Sequence, residues 1–245
     1  MSESGAQQQV ARLRAELAEA RAALGDFAYV VSHDLRAQAR HVKAYAGLLR
    51  ESLGPALQGE AGQFLATVET AAALMGRQID GLMAWAQLDR AELDPMPLET
   101  KALLAEARQA LAAQESGRHI EWTMAPDLPR VRGDGALLRQ LFVHLLDNAL
   151  KFTRPREAAQ ITVTWAPAQP GWVTLHLRDN GVGYNPAQQA QLFHVFQRLH
   201  PATQFEGLGL GLALARKIVE RHGGSIAIEG APDAGCCVSV TLQTA

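Results

Sequence analysis

The sequence predicts an α plus α/β protein, in which a helical hairpin that forms a four-helix bundle in the dimer is followed by an α/β sandwich. Three observations predict this fold class. Apolar residues recur at alternating steps of three and four in two long stretches before residue 93. The proline-rich segment Asp94-Pro95-Met96-Pro97 then interrupts the pattern. Beyond it, helical stretches mix with segments that alternate apolar and polar residues, as strands do.

The composition is that of an ordinary globular protein. Of 245 residues, 48% are hydrophobic and 20% are charged. The formal net charge of -2 predicts no nucleic-acid partner and no polybasic membrane anchor. No apolar run approaches the roughly 18 residues of a membrane span, and no signal pattern opens the chain, so we expect a cytoplasmic protein without membrane insertion. Cys236 and Cys237 are neighbours that point to opposite faces of a strand, which predicts two free thiols.

The first predicted helix carries a heptad-like stripe that favours pairing with an identical helix. Its apolar positions alternate steps of three and four, as in a two-stranded coiled coil. They are Val10, Leu13, Leu17, Ala20, Leu24, Phe27 and Val31, with continuation through Leu35, Val42, Tyr45 and Leu49. A single amphipathic helix lying on its own domain is the alternative interpretation. The helix is expected to end at the breaking segment Ser52-Leu53-Gly54-Pro55.

A second helix with a similar stripe completes the predicted hairpin. Its apolar positions are Phe64, Val68, Ala71, Met75, Ile79, Leu82 and Ala86. Two antiparallel helices with one stripe each cannot close a core alone, whereas two copies make a four-helix bundle. We therefore expect a homodimer, held through a hairpin at about 10–93.

The second half of the chain reads as helices and strands of one sandwich. Helices are expected at about 98–114, 135–152 with Asp134 as its cap, and 208–222 before Gly223-Gly224. Strands are expected at 119–125, 161–165, 172–180, 225–230 and 235–243, with a loop-rich stretch at 181–207.

Three segments of this half carry chemistry. Asn148 and Lys151 are three residues apart on one helix face, where an amide oxygen can ligate Mg²⁺ and an ammonium can meet a phosphate. The segment 179–183, Asp-Asn-Gly-Val-Gly, follows a strand, and the segment 207–211, Gly-Leu-Gly-Leu-Gly, opens a helix. Alone, each has a plain alternative: polar residues on a solvated helix face, a common Asp-Asn-Gly turn, and a weak glycine pattern that is neither a P-loop nor a dinucleotide fingerprint.

Together, in this order and spacing, the three segments resemble the gyrase- and histidine-kinase-type ATPase family. Residues 192–200, Leu-Phe-His-Val-Phe-Gln-Arg-Leu-His, resemble the phenylalanine box of phytochrome-related histidine kinases, and residues 207–224 are similar to that family too. Residues 27–36, Phe-Ala-Tyr-Val-Val-Ser-His-Asp-Leu-Arg, resemble its phosphoacceptor box. The resemblance covers about residues 24–243.

This resemblance implies ATP and Mg²⁺ as ligands and assigns the site residues. Asn148 would hold Mg²⁺, Lys151 would contact phosphate, and Asp179 would read the adenine amino group. Arg198 would reach the phosphates from a lid, and five glycines would shape pocket and lid: Gly181, Gly183, Gly207, Gly209 and Gly211. His33 would be the phosphoacceptor, with Asp34 as the acidic neighbour that orients and activates it.

Three positions depart from the patterns of related proteins. Gln38 stands where a proline usually follows the phosphoacceptor, and it is expected to lie near the apolar stripe of the bundle. Ala37 stands where members with phosphatase activity often carry Thr, Asn or Gln. His144 stands four residues before Asn148, where related hydrolytic ATPases have a water-activating glutamate, which favours phosphoryl transfer over ATP hydrolysis.

The sequence thus predicts the transmitter core of a two-component histidine kinase, which phosphorylates His33 from ATP and passes the phosphoryl group to an aspartate on a response regulator receiver domain. The expected division is an N-terminal coiled-coil signal helix at 1–26, a dimerisation and phosphotransfer hairpin at 27–93, and a catalytic ATP-binding domain at 94–245. The input is expected from a separate sensor protein or from a longer native chain. Two alternatives stay open: a non-catalytic dimeric scaffold with the kinase fold, and a gyrase-type ATPase.

Overall fold

The computed structural model describes residues 3–88, 92–201 and 203–245, which form two compact units, Met1–Ala91 and Glu92–Ala245. The first unit is a helical hairpin and the second is an α/β sandwich. The predicted fold class, a hairpin followed by a sandwich, is confirmed. No helix among the described residues combines the length and the apolar character needed to cross a membrane.

Two long helices make the hairpin. Helix α1 spans Glu3–Leu53, a short 3-10 turn follows at Gly54–Ala56, and helix α2 spans Gly59–Gln87. Gly54 and Gly59 have positive φ angles of 45° and 62°, a conformation that glycine adopts without steric cost. The predicted end of the first helix is therefore confirmed at the glycine-proline break.

Small side chains fill much of the interface between the two helices. The buried apolar residues are Ala39, Ala46, Ala72, Ile79, Met83 and Ala86. Alanine allows close approach of the helix backbones and is the best helix former. At the edges of this interface, Arg36 pairs with Asp80, and Arg50 Nη2 lies 2.6 Å from Glu69 Oε2.

Most of the described members of the two predicted apolar stripes lie on the outside of the hairpin, whereas Ile79 and Ala86 are buried between the helices. Seven of these members are 45% to 67% exposed: Leu35, Val42, Tyr45, Leu49, Phe64, Val68 and Met75. Gln38 lies on this same outer face, three residues after Leu35, and is exposed. In the N-terminal part, Leu13 is 55% exposed, whereas the side chains of Val10, Leu17, Leu24 and Phe27 are outside what the structure describes. One hairpin thus leaves an apolar face uncovered.

The second unit has a mixed five-stranded sheet with helices on one face. Its strands run in the order β2 (His119–Met124), β4 (Ala158–Pro167), β5 (Trp172–Asp179), β7 (Cys236–Gln243) and β6 (Ser225–Gly230). The pair β2–β4 is parallel, and the others are antiparallel. The helices are α3 (Thr100–Ala110), α4 (Ala112–Glu115), α5 (Gly135–Phe152) and α6 (Gly211–Arg221), with α5 packed between α3 and α6.

Helix α5 is the centre of the sandwich core. Asp134 caps it by accepting a hydrogen bond from Leu137 N at 3.0 Å, as the sequence predicts. Its buried side chains recur at helical spacing: Leu138, Leu141, Phe142, Leu145, Leu146, Ala149 and Leu150. They pack on the inward residues of the sheet and against α6, which leaves the remaining face of α5 for polar side chains.

The strand expected at 161–165 is longer in the structure, at Ala158–Pro167, and two predicted helices begin later than expected. The helix expected from residue 98 begins at Thr100, because Met96–Glu99 form strand β1, which pairs with β3 (Arg130–Gly133). Each of these strands has four residues, too few for an alternation pattern to show in the sequence. The helix expected from residue 208 begins at Gly211, since Gly209 has a φ of +71°, outside the helical region.

Candidate active site

One face of α5 carries His144, Asn148 and Lys151. Lys151 Nζ donates a hydrogen bond to Asn148 Oδ1 at 3.0 Å, so the predicted pair is in direct contact. Burial lowers the pKa of Lys151 from its ordinary value, which means that the ammonium has given up much of its hydration. An incompletely hydrated cation beside an amide oxygen is suited to bind an anion together with a metal ion.

His144 occupies the turn before Asn148 and is a site residue to which the sequence assigned no role beyond replacing a glutamate. Its Nε2 atom is buried without a hydrogen-bond partner, and burial lowers the pKa of the imidazole. The unpaired polar atom leaves one hydrogen-bonding position open on this face of α5.

Asp179 ends strand β5 and is 8% exposed. Its Oδ1 accepts hydrogen bonds from Gly181 N at 2.8 Å and from Cys236 N at 3.3 Å. Burial raises the pKa of this carboxyl group to about 6, and the two backbone donors oppose the shift. Both donors use Oδ1, so Oδ2 is left for another donor.

The glycines after Asp179 are required by the protein's own packing. A Cβ added at Gly181 would lie 2.7 Å from Phe152 O, and one added at Gly183 would lie 1.8 Å from Ala231 O. Gly183 also has a φ of +61°. Gly181 therefore crosses the end of α5 at backbone distance, and Gly183 crosses the loop at Ala231.

The second glycine segment lies against the same face of α5. A Cβ at Gly207 would be 3.4 Å from Lys151 Nζ, and one at Gly211 would be 3.8 Å from both Asn148 Nδ2 and His144 Nδ1. Gly209 would meet Gln197 O at 2.5 Å. The structure thus brings all three predicted segments together around α5.

The loop between the two glycine segments is tied down by contacts that sequence reasoning missed. The rings of Phe152, His200 and Phe205 form a cluster with centroids 5.1 to 5.4 Å apart. His200 Nε2 lies 2.9 Å from Gly183 O. Arg198, predicted as a phosphate contact, donates to Phe205 O. We name the described residues 185–201 and 203–210 the lid segment.

Arg154 and Glu206 form a bidentate ion pair between the end of α5 and the lid segment, which the sequence analysis also missed. The hydrogen bonds from Arg154 lower the pKa of Glu206 to about 2, so this carboxylate is ionised at neutral pH. The only sequence signal was the basic run after Lys151, Arg154-Pro155-Arg156, which alone predicts a solvated surface.

His33 lies on helix α1 of the first unit, with its side chain 65% exposed. Its Nδ1 is 3.4 Å from Asp34 Oδ1, so these adjacent residues do meet, although neighbours on a helix do not face each other squarely. The preceding residue, Ser32, is fully buried. The buried serine turns the next position, His33, toward solvent.

Comparison with known proteins agrees with this arrangement. Residues 133–245 match the family described as histidine kinase-, DNA gyrase B-, and HSP90-like ATPase. The chain is 34% identical over 219 residues to the methanogenesis regulatory histidine kinase FilI of Methanothrix harundinacea (strain 6Ac), covering 89% of this chain and 24% of FilI. It is 34% identical over 238 residues to cyanobacterial phytochrome A of Nostoc sp. (strain PCC 7120 / SAG 25.82 / UTEX 2576), covering 96% of this chain and 30% of that protein.

Solved structures share the fold. Full-length ShkA in complex with AMPPNP superposes with a TM-score of 0.65 at 24% identity, over 90% of this chain and 46% of ShkA. The Acinetobacter baumannii histidine kinase AdeS gives a TM-score of 0.58 at 16% identity, over 86% of this chain and 98% of AdeS.

Residues 133–245 are therefore a domain of the histidine kinase, gyrase B and HSP90-like ATPase family. Over most of its length, the chain is similar to the transmitter core of sensor histidine kinases, phytochromes among them. It spans 24% and 30% of the lengths of the two curated relatives named above.

Proposed function

We propose that this chain is an ATP-dependent protein kinase that phosphorylates its own His33 and then passes the phosphoryl group to an aspartate of a response regulator. The observation that carries the proposal is the solvent-exposed contact between His33 and Asp34, in a chain whose second unit holds the Asn148–Lys151 contact and the buried Asp179. An exposed imidazole beside a carboxylate is suited to act as a nucleophile.

Asp179 would select adenine. Its Oδ1 is occupied by two backbone N–H groups, and its Oδ2 would accept from the exocyclic amine. A buried acceptor that stays unpaired without this amine rejects bases that lack it, since an unmet buried group costs about 1–3 kcal/mol.

Lys151 and Arg198 would hold the phosphates, and the Asn148 amide oxygen would hold Mg²⁺, which neutralises phosphate charge when bound. The amide and the ammonium are already in contact at 3.0 Å, so the metal ligand and the phosphate ligand are positioned together. His144 stands where a hydrolytic relative has a carboxylate base, and burial lowers its pKa, so it would not hold a positive charge beside the site at neutral pH.

In the transfer step, neutral His33 would donate a hydrogen bond from Nδ1–H to Asp34, which fixes the tautomer whose lone pair is on Nε2. Asp34 would then take the Nδ1 proton as Nε2 bonds to phosphorus. Nε2 attacks the γ-phosphorus as the bond to the β-phosphate oxygen breaks, and ADP leaves with that electron pair. The chain would act as a homodimer in the cytoplasm, and a separate sensor protein or further domains of a longer chain would supply the signal.

Incubation with γ-labelled ATP tests the proposal and separates it from its rivals. We expect an acid-labile, base-stable label on the wild type, no label on His33→Gln, and full label on His41→Gln, an exposed histidine of the same helix. Free phosphate without labelled protein would indicate an ATPase, and neither product would indicate a scaffold. Acid-labile label on His33→Gln would rule out His33 as the sole acceptor.

A further inference from the structure

Three cations converge on residues 205–207 of the lid segment. Arg198 donates to the carbonyl oxygen of Phe205, Arg154 binds the carboxylate of Glu206, and Lys151 Nζ lies 3.4 Å from the Cβ position of Gly207. Lys151 is repelled by both arginines and attracted to Asp147 and Glu206. Of these two anions, Glu206 is the one whose carboxylate is bound by Arg154.

In the Arg154–Glu206 ion pair, another anion can replace the carboxylate of Glu206. The Arg154 and Glu206 side chains are 38% and 65% exposed, so water and solutes reach both partners. A guanidinium group binds a carboxylate and a phosphate with the same two-pronged geometry. Exposed ion pairs contribute only about 0–1 kcal/mol, so a doubly charged phosphate group can displace this carboxylate.

We propose that Glu206 is an internal stand-in for a nucleotide phosphate: it holds Arg154 in the nucleotide-free form, and binding of a nucleoside triphosphate transfers Arg154 from Glu206 to the phosphates. This inference rests on the proposed function of the site as a nucleotide pocket. It adds Arg154 to the phosphate-binding residues Lys151 and Arg198. It also makes release of Glu206 a step that couples phosphate binding to the lid segment, since Glu206 directly precedes Gly207.

Binding of ATP and of adenosine, measured by calorimetry in the presence of Mg²⁺, tests the exchange. Glu206→Gln removes the competing charge and should tighten ATP binding about two- to fivefold. Arg154→Gln should weaken ATP binding about tenfold, because a charge-assisted contact to phosphate is lost. Neither variant should change adenosine binding, which involves no phosphate. Glu99→Gln is the matched control, since Glu99 forms a comparable exposed ion pair with Arg130 at 2.8 Å.

If ATP binds Glu206→Gln no more tightly than the wild type, the pair is only a clasp for the lid segment and the proposal is wrong. Unchanged adenosine affinity in that variant would show that the pocket itself is intact. Wild-type protein that binds neither ATP nor adenosine would instead overturn the nucleotide pocket, and the exchange with it.

Discussion

At the scale of single residues, Asp179 combines a proposed contact to adenine with a cost to stability. Burial raises its pKa from 3.8 to about 6, so the folded protein binds this proton more tightly than the unfolded chain does. The stability that comes from the protonated form is complete below pH 3.8 and is lost as the pH rises through about 6. At neutral pH the domain therefore carries a buried charge that a ligand donor would compensate.

The variant Asp179→Asn should separate these two effects. At pH 8 it should stabilise the nucleotide-free protein by on the order of 1–3 kcal/mol, because the buried charge is gone. It should weaken ATP binding about tenfold or more. The asparagine oxygen would keep the two backbone hydrogen bonds, so its NH₂ donor would replace the Oδ2 acceptor opposite the adenine amine. Thermal unfolding at pH 8 and at pH 5 measures the first effect, which should shrink at pH 5. Unchanged ATP affinity would refute the assignment of Asp179.

Ala37 leads to a second prediction at this scale. It lies one helical turn after His33 and has neither a donor nor an acceptor to position a water molecule. We expect a phosphorylated regulator, freed of ATP, to lose its phosphate at its own rate whether or not this protein is added. Ala37→Thr is the variant that could add activity, and Ala37→Ser offers a shorter hydroxyl for comparison. Marked acceleration by the wild type would contradict the prediction.

At the scale of elements, the glycine segments hold the sheet, α5 and the lid segment at backbone distance. Gly183 and Gly171 both have positive φ angles, of 61° and 81°. Around Gly183 the backbone is crowded, whereas a Cβ at Gly171 would meet nothing within 4 Å. Comparing variants at the two positions therefore separates the cost of the left-handed conformation from the cost of a steric clash.

Gly183→Ala should destabilise the protein by about 2–4 kcal/mol, since the methyl group adds a clash with Ala231 O to the cost of the left-handed conformation. Gly171→Ala should cost about 1 kcal/mol, from conformation alone. Urea unfolding of both variants measures the difference. Equal losses of stability would mean that the segment at Gly183 shifts easily, and that its glycine is not needed for packing.

At the scale of the whole molecule, the hairpin presents an apolar face that one chain does not cover. Leu49 is 53% exposed and Phe64 is 67% exposed, on helices whose mutual interface is largely alanine. Burying such side chains gains about 25 cal/mol per Å² of apolar surface, so a partner for this face is strongly favoured. A second copy of the hairpin supplies a face of the same shape and chemistry.

We therefore expect light scattering at micromolar concentration to give twice the chain mass of 26.4 kDa. Leu49→Glu should shift the protein toward monomer, because a carboxylate in the apolar interface is left without a partner. Arg40→Glu is the control, since it is exposed and lies on the opposite side of α1 from Leu49. A monomeric wild type would contradict the dimer.

Much of the fold was predictable because it depends on local patterns. The cap at Asp134, the spacing of buried leucines along α5 and the stop at Gly223 all follow from interactions within a few residues. The same holds for Asn148 and Lys151, which three-residue spacing places on one face of a helix. The sequence by itself also determined the order of the three chemical segments. That order is what resembles the gyrase- and histidine-kinase-type ATPase family.

Only the tertiary structure decided what depends on distant parts of the chain meeting. The pairing of β1 with β3, the crowding of Gly183 by Ala231 and the contact between Arg154 and Glu206, 52 residues apart, leave no periodic trace in the sequence. The raised pKa of Asp179 also depends on distant parts of the chain, because the residues packed around the carboxyl group determine how far it is buried. Local sequence patterns reflect steric and burial preferences over one or two helical turns. Contacts between distant residues form only when folding brings those parts of the chain together.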